Sequence, residues 1–253
     1  LRRGGTYRNG ACVITLDLGS PDILDFIHTP RAELPWVKRC INLTPKDWAE
    51  ATSEVKGAVL KGISKGDIWL AKIKHDKHGN RIYSNVCLEV FIGSRSTCLL
   101  QHINLGACKI GDISDAFVGE YNPPEEDRQV GLGFLGLANF LRQNKITYAQ
   151  FGDSLEKVNK GEWVEGTSGI AARELYMGIQ QAAAKAEYYE MDRAFAIAPT
   201  ASCSYRSKDL EGFTSTPEIA PPIARSVDRD SGTFGVQHYE YGDVEIASEV
   251  GWD

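Results

Sequence analysis

Residues 11–27 read ACVITLDLGSPDILDFI, an apolar run followed by a polar break and a second apolar segment. Ala11 to Leu18 is apolar and contains β-branched residues, which predicts a buried strand. Ser20-Pro21-Asp22 supplies the N-cap and first-turn chemistry of a helix that continues through Ile27. A strand that leads directly into a helix predicts an α/β fold.

Further segments have patterns typical of regular structure. Apolar spacing and capping residues predict helices over Asp47 to Leu60 (with Thr44 as cap and Pro45 at the first position), Gln129 to Leu141 and Ala171 to Tyr189. Asp67 to Ile73 is predicted to be a strand, and Asp76 to Asn80 a polar turn. From Pro199 onward Pro, Ser, Thr and Gly are frequent, so loops are expected there.

The 253 residues show no internal repeat and no low-complexity linker, so residues 1–253 are predicted to form one domain. The sequence begins at Leu1 rather than Met and stops at Asp253 without a tail. We therefore expect the domain to be incomplete at both ends.

The composition narrows the class of protein. With 42% hydrophobic and 25% charged residues, the chain matches an ordinary globular protein. A net charge of −6 without a run of Lys or Arg argues against a nucleic-acid partner. There is neither an apolar stretch of roughly 18 residues nor a leader pattern, so we expect no membrane span and a cytoplasmic location.

The six cysteines are scattered along the chain, which makes a structural disulfide scaffold improbable. None forms a C-x-x-C pair, and the histidines are not at zinc-ligand spacing from them. No metal site is therefore predicted. Buried or reactive thiols remain as interpretations of these residues.

Gly131 to Gly136 fits the G-x-G-x-x-G pattern of dinucleotide-binding loops, and Asp153 lies about where a ribose-binding acid would be expected. That pattern needs a buried strand immediately before the first glycine. The preceding residues, Pro123 to Gln129, are too polar and proline-rich for a central strand. We therefore interpret the glycines as residues that let a helix approach a neighbouring element closely.

The segment SNVCLEV, Ser84 to Val90, alternates polar and apolar residues. In an extended conformation Asn85, Cys87 and Glu89 would point to the same side, so that an amide, a thiol and a carboxylate converge. The alternative is a small core cysteine between solvent-facing polar residues.

The Asn-x-Cys-x-Glu pattern in this setting resembles the active-site segment of ribonucleotide reductase large subunits. Three other segments resemble that family in the same order along the chain. Arg2-Arg3-Gly4-Gly5 is similar to the end of the loop that senses substrate identity, and Thr97 to Gly106 to a cysteine-containing segment that ends in Asn-Leu-Gly. Pro199 to Ser204, followed by Pro217 to Ile219, is similar to the phosphate loop and the segment after it.

The resemblance implies a ten-stranded α/β barrel of two parallel half-sheets, of which this chain would supply a part. A central finger loop would carry the radical cysteine, shielded from water and oxygen. Cys87 would be the thiyl residue that abstracts the ribose 3′-hydrogen, Glu89 the base for the 3′-hydroxyl proton, and Asn85 the amide that holds the substrate hydroxyls. Cys98 would be one of two thiols that finish as a disulfide, its partner lying upstream of Leu1.

In the family's phosphate loop, backbone N–H groups at a helix start bind an anion. By resemblance this loop comprises Pro199, Thr200, Ala201, Ser202 and Cys203, while Arg3 and Gly4 belong to the substrate-sensing loop. The alternative is a Ser/Thr loop that only caps a helix. Ala201 and Cys203 stand where many relatives carry a polar residue, which leaves the direct phosphate contacts open.

The implied activity is reduction of ribonucleoside di- or triphosphates to 2′-deoxyribonucleotides for DNA synthesis. Val86 and Leu88 favour the members served by a separate metal-containing small subunit, with adenosylcobalamin as the alternative radical source. The resemblance also implies a thioredoxin- or glutaredoxin-type reductant and an oligomer. Cys12, Cys40 and Cys108 match no role and are interpreted as core thiols.

Two other functions stay open. An enzyme with a cysteine nucleophile would need a histidine base close to Cys87, and the sequence cannot place His102 there. A module that binds nucleotides but has lost the chemistry is the second alternative.

Overall fold

The computed structural model describes residues 2–3, 8–120, 130–231 and 234–251, and for residues 2–3, 8–9 and 120 the backbone alone. The chain divides into two compact units, Leu1–Cys98 and Leu99–Asp253. Each unit combines parallel strands with helices, which confirms the α/β class. The prediction of one domain stays a prediction.

The first unit is built on a parallel sheet of three strands in the order β3-β4-β5. Two short strands, β1 (Arg2–Arg3) and β2 (Arg8–Asn9), form an antiparallel pair ahead of it. The sheet strands are β3 (Cys12–Asp17), β4 (Val37–Leu43) and β5 (Ile68–Lys72), and the helices are α1 (Ile23–His28), α2 (Pro45–Glu50) and α3 (Ser53–Ser64). The strands predicted at residues 11–18 and 67–73 are thus confirmed. α1 confirms the predicted first helix, although it begins at Ile23.

Apolar side chains from α1, α3 and the sheet form the core of this unit. They are Leu18, Ile23, Ile27, Ile41, Val59 and Ile68. β3 is less buried than predicted, because it lies at the edge of the sheet and Ile14 is exposed.

The single helix predicted over Asp47 to Leu60 is wrong, because the chain forms two helices there. The Thr44 hydroxyl accepts from the Asp47 N–H at 3.1 Å and begins α2 as predicted. Ala51 is then extended, with φ −62° and ψ 144°. The Thr52 hydroxyl accepts from the Val55 N–H at 3.2 Å and begins α3. A second N-cap inside the apolar pattern therefore divides the segment.

An antiparallel sheet of three short strands completes the first unit. Its strands are β6 (Lys74–His75), β7 (Arg81–Ser84) and β8 (Phe91–Ile92). The polar turn predicted at residues 76–80 is confirmed, because the Asp76 carboxylate accepts from the backbone N–H groups of His78 and Asn80. The site cysteine Cys87 lies in the next turn, between β7 and β8.

The second unit has two parallel strands covered by helices. The strands are β9 (Leu100–Asn104) and β10 (Gly131–Leu135), and the helices are α4 (Ile113–Glu120), α5 (Leu137–Gln143), α6 (Tyr148–Asn159) and α7 (Gly166–Tyr188). α7 confirms the predicted long helix. Its buried alanines and Leu175 pack in a core with Phe117, Leu132 and Phe140.

The predicted helix over Gln129 to Leu141 is wrong in its first half, which forms the buried strand β10. A Cβ at residue 133 would overlap the carbonyl oxygen of Ala196, so Gly133 permits close backbone approach as interpreted, but in a strand rather than a helix. Gly136 has φ 73° and marks the change from strand to α5. Asp153 pairs with Lys157 on α6, and residues 123–129 lie outside the described part of the chain.

The segment after Pro199 is more ordered than the predicted loops. It contains α8 (Ala201–Arg206), a hairpin of β11 (Ser226–Asp230) and β12 (Val236–Glu240), and α9 (Ala247–Val250). The described residues form sheets of two or three strands and no closed barrel.

A buried amide ties α5 to this C-terminal segment. The Asn139 side chain donates to the Asp209 carboxylate at 2.8 Å and accepts from the Thr216 N–H at 2.7 Å. It also donates to the Thr214 carbonyl oxygen at 2.9 Å.

Asn139→Ala should remove the Asn139 partner from the Thr216 N–H and the Thr214 carbonyl, while Asp209 keeps Arg142, and lower the free energy of unfolding by about 3 kcal/mol. Urea denaturation would measure the change. The control is Asn144→Ala, which removes one half-buried bond to the Phe140 carbonyl and should cost about 1 kcal/mol. Equal losses in the two variants would contradict a special role for Asn139.

Candidate functional site: the turn between β7 and β8

Residues 85–90 form a tight turn that reverses the chain between β7 and β8. The Asn85 N–H donates to the Val90 carbonyl at 3.1 Å, and the Leu88 N–H donates to the Asn85 carbonyl at 3.2 Å. Leu88 has φ 72°, in the left-handed region. The extended conformation predicted for Ser84 to Val90 is therefore wrong. The chain turns instead of continuing as a strand because Ser84 pairs with Phe91, which requires it to reverse at once.

The turn nevertheless gathers the four residues predicted to be catalytic. The Asn85 amide nitrogen donates to the sulfur of Cys98 at 3.7 Å. The charge of Glu89 acts on both the Cys87 and the Cys98 thiols, and Cys87 also acts on Cys98. The convergence was expected from strand alternation and is instead produced by the turn.

The Asn85 side chain is engaged at both ends. Its amide oxygen accepts from the Val90 N–H at 3.3 Å, and its amide nitrogen contacts Cys98. In this structure the amide therefore closes the turn and contacts a thiol. The predicted contact with substrate hydroxyls stays a prediction.

Glu89 has an oxygen without a hydrogen-bond donor. Its Oε2 atom is buried and has no partner among the described residues. A buried polar atom without a partner is costly and needs an explanation such as a binding or catalytic role. This oxygen can accept a proton or a hydrogen bond from a bound molecule.

Both thiols of the site are held in the protonated form. The pKa of the Cys87 thiol is raised by partial desolvation and next by the charge of Glu89, whereas Lys38 lowers it. The pKa of the Cys98 thiol is raised by the same two causes, and the hydrogen bond from Asn85 opposes them. A thiol that stays protonated keeps its S–H bond and is a poor thiolate nucleophile.

No sequence pattern assigned Lys38 to this site. It lies on β4, where alternation places it on the same face of the sheet as Cys40. It lowers the pKa of both Cys40 and Cys87. Alternation along β4 relates Lys38 to Cys40 but gives no signal for its proximity to Cys87.

The resemblance implies a radical cysteine shielded from solvent, and the exposure of Cys87 differs from that expectation. Cys87 is exposed and Cys98 is half-buried within the described residues. Of the three predicted core thiols, Cys40 is buried, and burial raises its pKa to about 11. Cys12 and Cys108 are half-buried.

The segment predicted to bind phosphate lies in the second unit and does begin a helix. Thr200 precedes α8 with φ 50°, and its side chain makes no capping hydrogen bond. Its hydroxyl instead accepts from the Glu218 N–H at 3.0 Å. The alternative of a loop whose hydroxyl caps the helix is therefore wrong for Thr200.

The other predicted binding residues are less defined. Pro199, Ser202 and Cys203 are exposed, and Ala201 is half-buried at the start of α8. Arg3 lies in β1, where only the backbone is described, and Gly4 lies outside the described residues.

Within the described ranges, no group of three or more His, Cys, Asp or Glu side chains could hold a metal ion. None of the described helices is long and apolar enough to cross a membrane.

No family model matches the sequence, and no curated protein matches it either. Among solved structures, the chain is similar to the Actinobacillus ureae class Id ribonucleotide reductase alpha subunit. The TM-score is 0.49 and the sequence identity 15%, over 84% of this chain and 49% of that subunit. The chain thus spans about half the length of that subunit. A likeness this slight identifies neither the fold nor the activity.

Asn85→Asp should raise the pKa of Cys98 further. The change removes the donor to sulfur, adds a negative charge beside it and keeps an oxygen for the Val90 N–H. Alkylation of Cys98 at pH 8, followed by peptide mass spectrometry, should slow about threefold or more because the thiolate is the reactive form.

The matched control is Asn80→Asp, which adds the same charge in the turn before β7 and should leave the Cys98 rate unchanged. Unchanged or faster alkylation of Cys98 in Asn85→Asp would contradict the assigned contact.

Proposed function

We propose that this protein takes part in the radical-based reduction of ribonucleotides to 2′-deoxyribonucleotides. The observation that carries the proposal is the turn at residues 85–90, which gathers Asn85, Cys87 and Glu89 with Cys98. These are the residue types, in the order, of the family segment that the sequence resembles.

The proposed chemistry assigns one role to each side chain. The thiyl form of Cys87 takes a hydrogen atom from C3′ of the ribose, which leaves a thiol and a carbon radical. Glu89 accepts the 3′-hydroxyl proton, for which its unpartnered buried oxygen is suited. Cys98 and a second thiol give up two hydrogens and two electrons: one hydrogen leaves with the 2′-hydroxyl as water, the other goes to C2′, and the two sulfurs end as a disulfide. Cys87 then returns the hydrogen atom to C3′.

The state of the thiols favours this function over a cysteine-nucleophile enzyme. A nucleophilic cysteine needs a lowered pKa, usually from a neighbouring histidine or another positive group. At Cys87 desolvation and Glu89 raise the pKa, and the opposing effect of Lys38 is the smallest of the three. Hydrogen-atom exchange, in contrast, needs the intact S–H bond.

A binding module without chemistry is also less well supported. Such a module could use the unpartnered oxygen of Glu89 to accept a hydrogen bond from a ligand, but it would have no need of two protonated thiols beside that carboxylate. A reaction that delivers a proton to that oxygen gives the arrangement a purpose.

The rest of the proposal follows the resemblance. Pro199 to Cys203 would bind the substrate phosphate, and Arg3 and Gly4 would belong to the substrate-sensing loop. The chain would form part of a ten-stranded barrel whose finger loop is the turn at residues 85–90. A thioredoxin- or glutaredoxin-type protein would restore the thiols of an oligomeric cytoplasmic enzyme.

Cys87→Ser should abolish deoxynucleotide formation in the full-length protein, because a hydroxyl does not form the radical readily. Reduction of a ribonucleoside di- or triphosphate, followed by chromatography, would measure it. The control is Cys12→Ser, a change of a half-buried thiol on β3 outside the site, which should retain turnover. Substantial turnover by Cys87→Ser would remove the central assignment.

For the radical source we propose a metal-containing small subunit, on the resemblance of Val86 and Leu88. The complete protein should be active with a co-expressed small subunit and no cobalamin. Activity would be assayed separately with adenosylcobalamin alone. Turnover with the cobalamin alone would overturn the choice of partner and leave the roles of Cys87 and Glu89 in place.

A further inference from the structure

The hairpin that carries Cys87 is joined to the parallel sheet by an ion pair. Arg81, the first residue of β7, contacts Asp17, the last residue of β3, although 64 residues separate them. Its two terminal nitrogens lie 2.8 and 3.3 Å from the two carboxylate oxygens of Asp17. A two-point contact of this kind fixes direction as well as distance.

Asp17 is itself held by the interior of the sheet. The Asn42 side chain donates to the same Oδ1 atom at 3.2 Å. Asn42 is buried on β4 and is the register partner of Asp17. Asn42 thus gives the carboxylate a second, buried contact besides Arg81.

Arg81 is constrained on its other side. Its guanidinium lies 4.8 Å from the ring centroid of Tyr83, and its side chain is 23% exposed. An exposed ion pair contributes little to stability, with a typical value of about 0–1 kcal/mol. The Asp17 side chain is 49% exposed, so the order of this pair comes from its two-point geometry, the ring of Tyr83 and the donor from Asn42 rather than from burial.

The strands around the turn are short and share few pairs. β7 pairs with β8 at Tyr83–Ile92 and Ser84–Phe91, and with β6 at Ile82–Lys74 and Arg81–His75. A contact from β7 to the parallel sheet therefore adds to a small number of backbone pairs. Arg81 lies one short strand from Asn85, where the turn begins, so its attachment controls where that turn lies.

We propose that Arg81, held by Asp17 and Asn42, is a positioning residue that fixes the turn bearing Cys87 and Glu89 against the parallel sheet. The importance of this positioning for catalysis rests on the proposed function. The anchoring itself does not, because it can be measured on the thiol of Cys87 without any turnover.

The test is the alkylation rate of individual cysteines in the purified protein, measured by peptide mass spectrometry from pH 7 to pH 10. In Arg81→Met the turn loses its anchor to the sheet, so Cys87 loses desolvation, the largest influence on its pKa, together with the smaller opposing effect of Lys38, while Glu89 moves with the turn. The alkylation of Cys87 near neutral pH should rise about threefold or more, because more of the thiol is then ionised. Cys40, buried on β4, should stay protected and thereby report that the sheet is folded.

Three further variants make the result specific. Arg81→Lys keeps the charge without the fork and should restore part of the wild-type rate. Asp17→Asn should match Arg81→Met, and the double variant should show no added effect, because both changes break one contact. Arg95→Met, a change of an exposed arginine shortly after β8, should leave the rate at Cys87 unaltered.

An unchanged Cys87 rate in Arg81→Met with Cys40 protected would overturn the proposal, and so would additive effects in the double variant. Loss of Cys40 protection in Arg81→Met and Arg81→Lys alike would also overturn it, because the pair would then support the whole sheet. If the rates shift as expected while the complete wild-type protein reduces no ribonucleotide, the anchor stands and the proposed function fails.

Discussion

Hydrogen bonds between Asn85 and Val90 close the turn that carries Cys87, and the arrangement of the site depends on them. The closure places Leu88 in the left-handed region, which costs a non-glycine residue about 1–2 kcal/mol. One backbone bond and one side-chain bond between the two ends offset that cost. Without the reversal, Cys87 and Glu89 would follow the direction of β7. With it, they lie close to Cys98.

The proximity of the Glu89 carboxylate to the Cys87 and Cys98 thiols affects the protonation of both thiols. A carboxylate near two partly desolvated thiols disfavours a second negative charge, so both sulfurs keep their protons. The same surroundings that weaken a thiolate nucleophile preserve the S–H bonds that hydrogen-atom exchange requires. Lys38 opposes this effect at Cys87, and the hydrogen bond from Asn85 opposes it at Cys98.

The sequence predicted best those elements whose periodicity and caps agree. β5 and α7 follow their patterns, and α2 begins at the predicted cap, Thr44. Prediction failed where two signals competed. The apolar run at residues 47–60 hides a second cap at Thr52, and Gly131 to Leu135 has the spacing of a helix but the burial of a central strand.

In the site, too, some features could be predicted from the sequence and others could not. The residue types at positions 85, 87, 89 and 98 were identified by resemblance, but the alternation that was meant to bring them together does not exist. A turn without glycine or proline gives little local signal, since Leu88 carries a backbone conformation that its side chain disfavours. The effect of Lys38 and the pair of Arg81 with Asp17 depend on contacts between distant strands, which spacing along one strand cannot show.

In the proposed phosphate loop, Thr200 and Glu218 both have positive φ and are joined by a hydrogen bond, so each left-handed residue helps to hold the other.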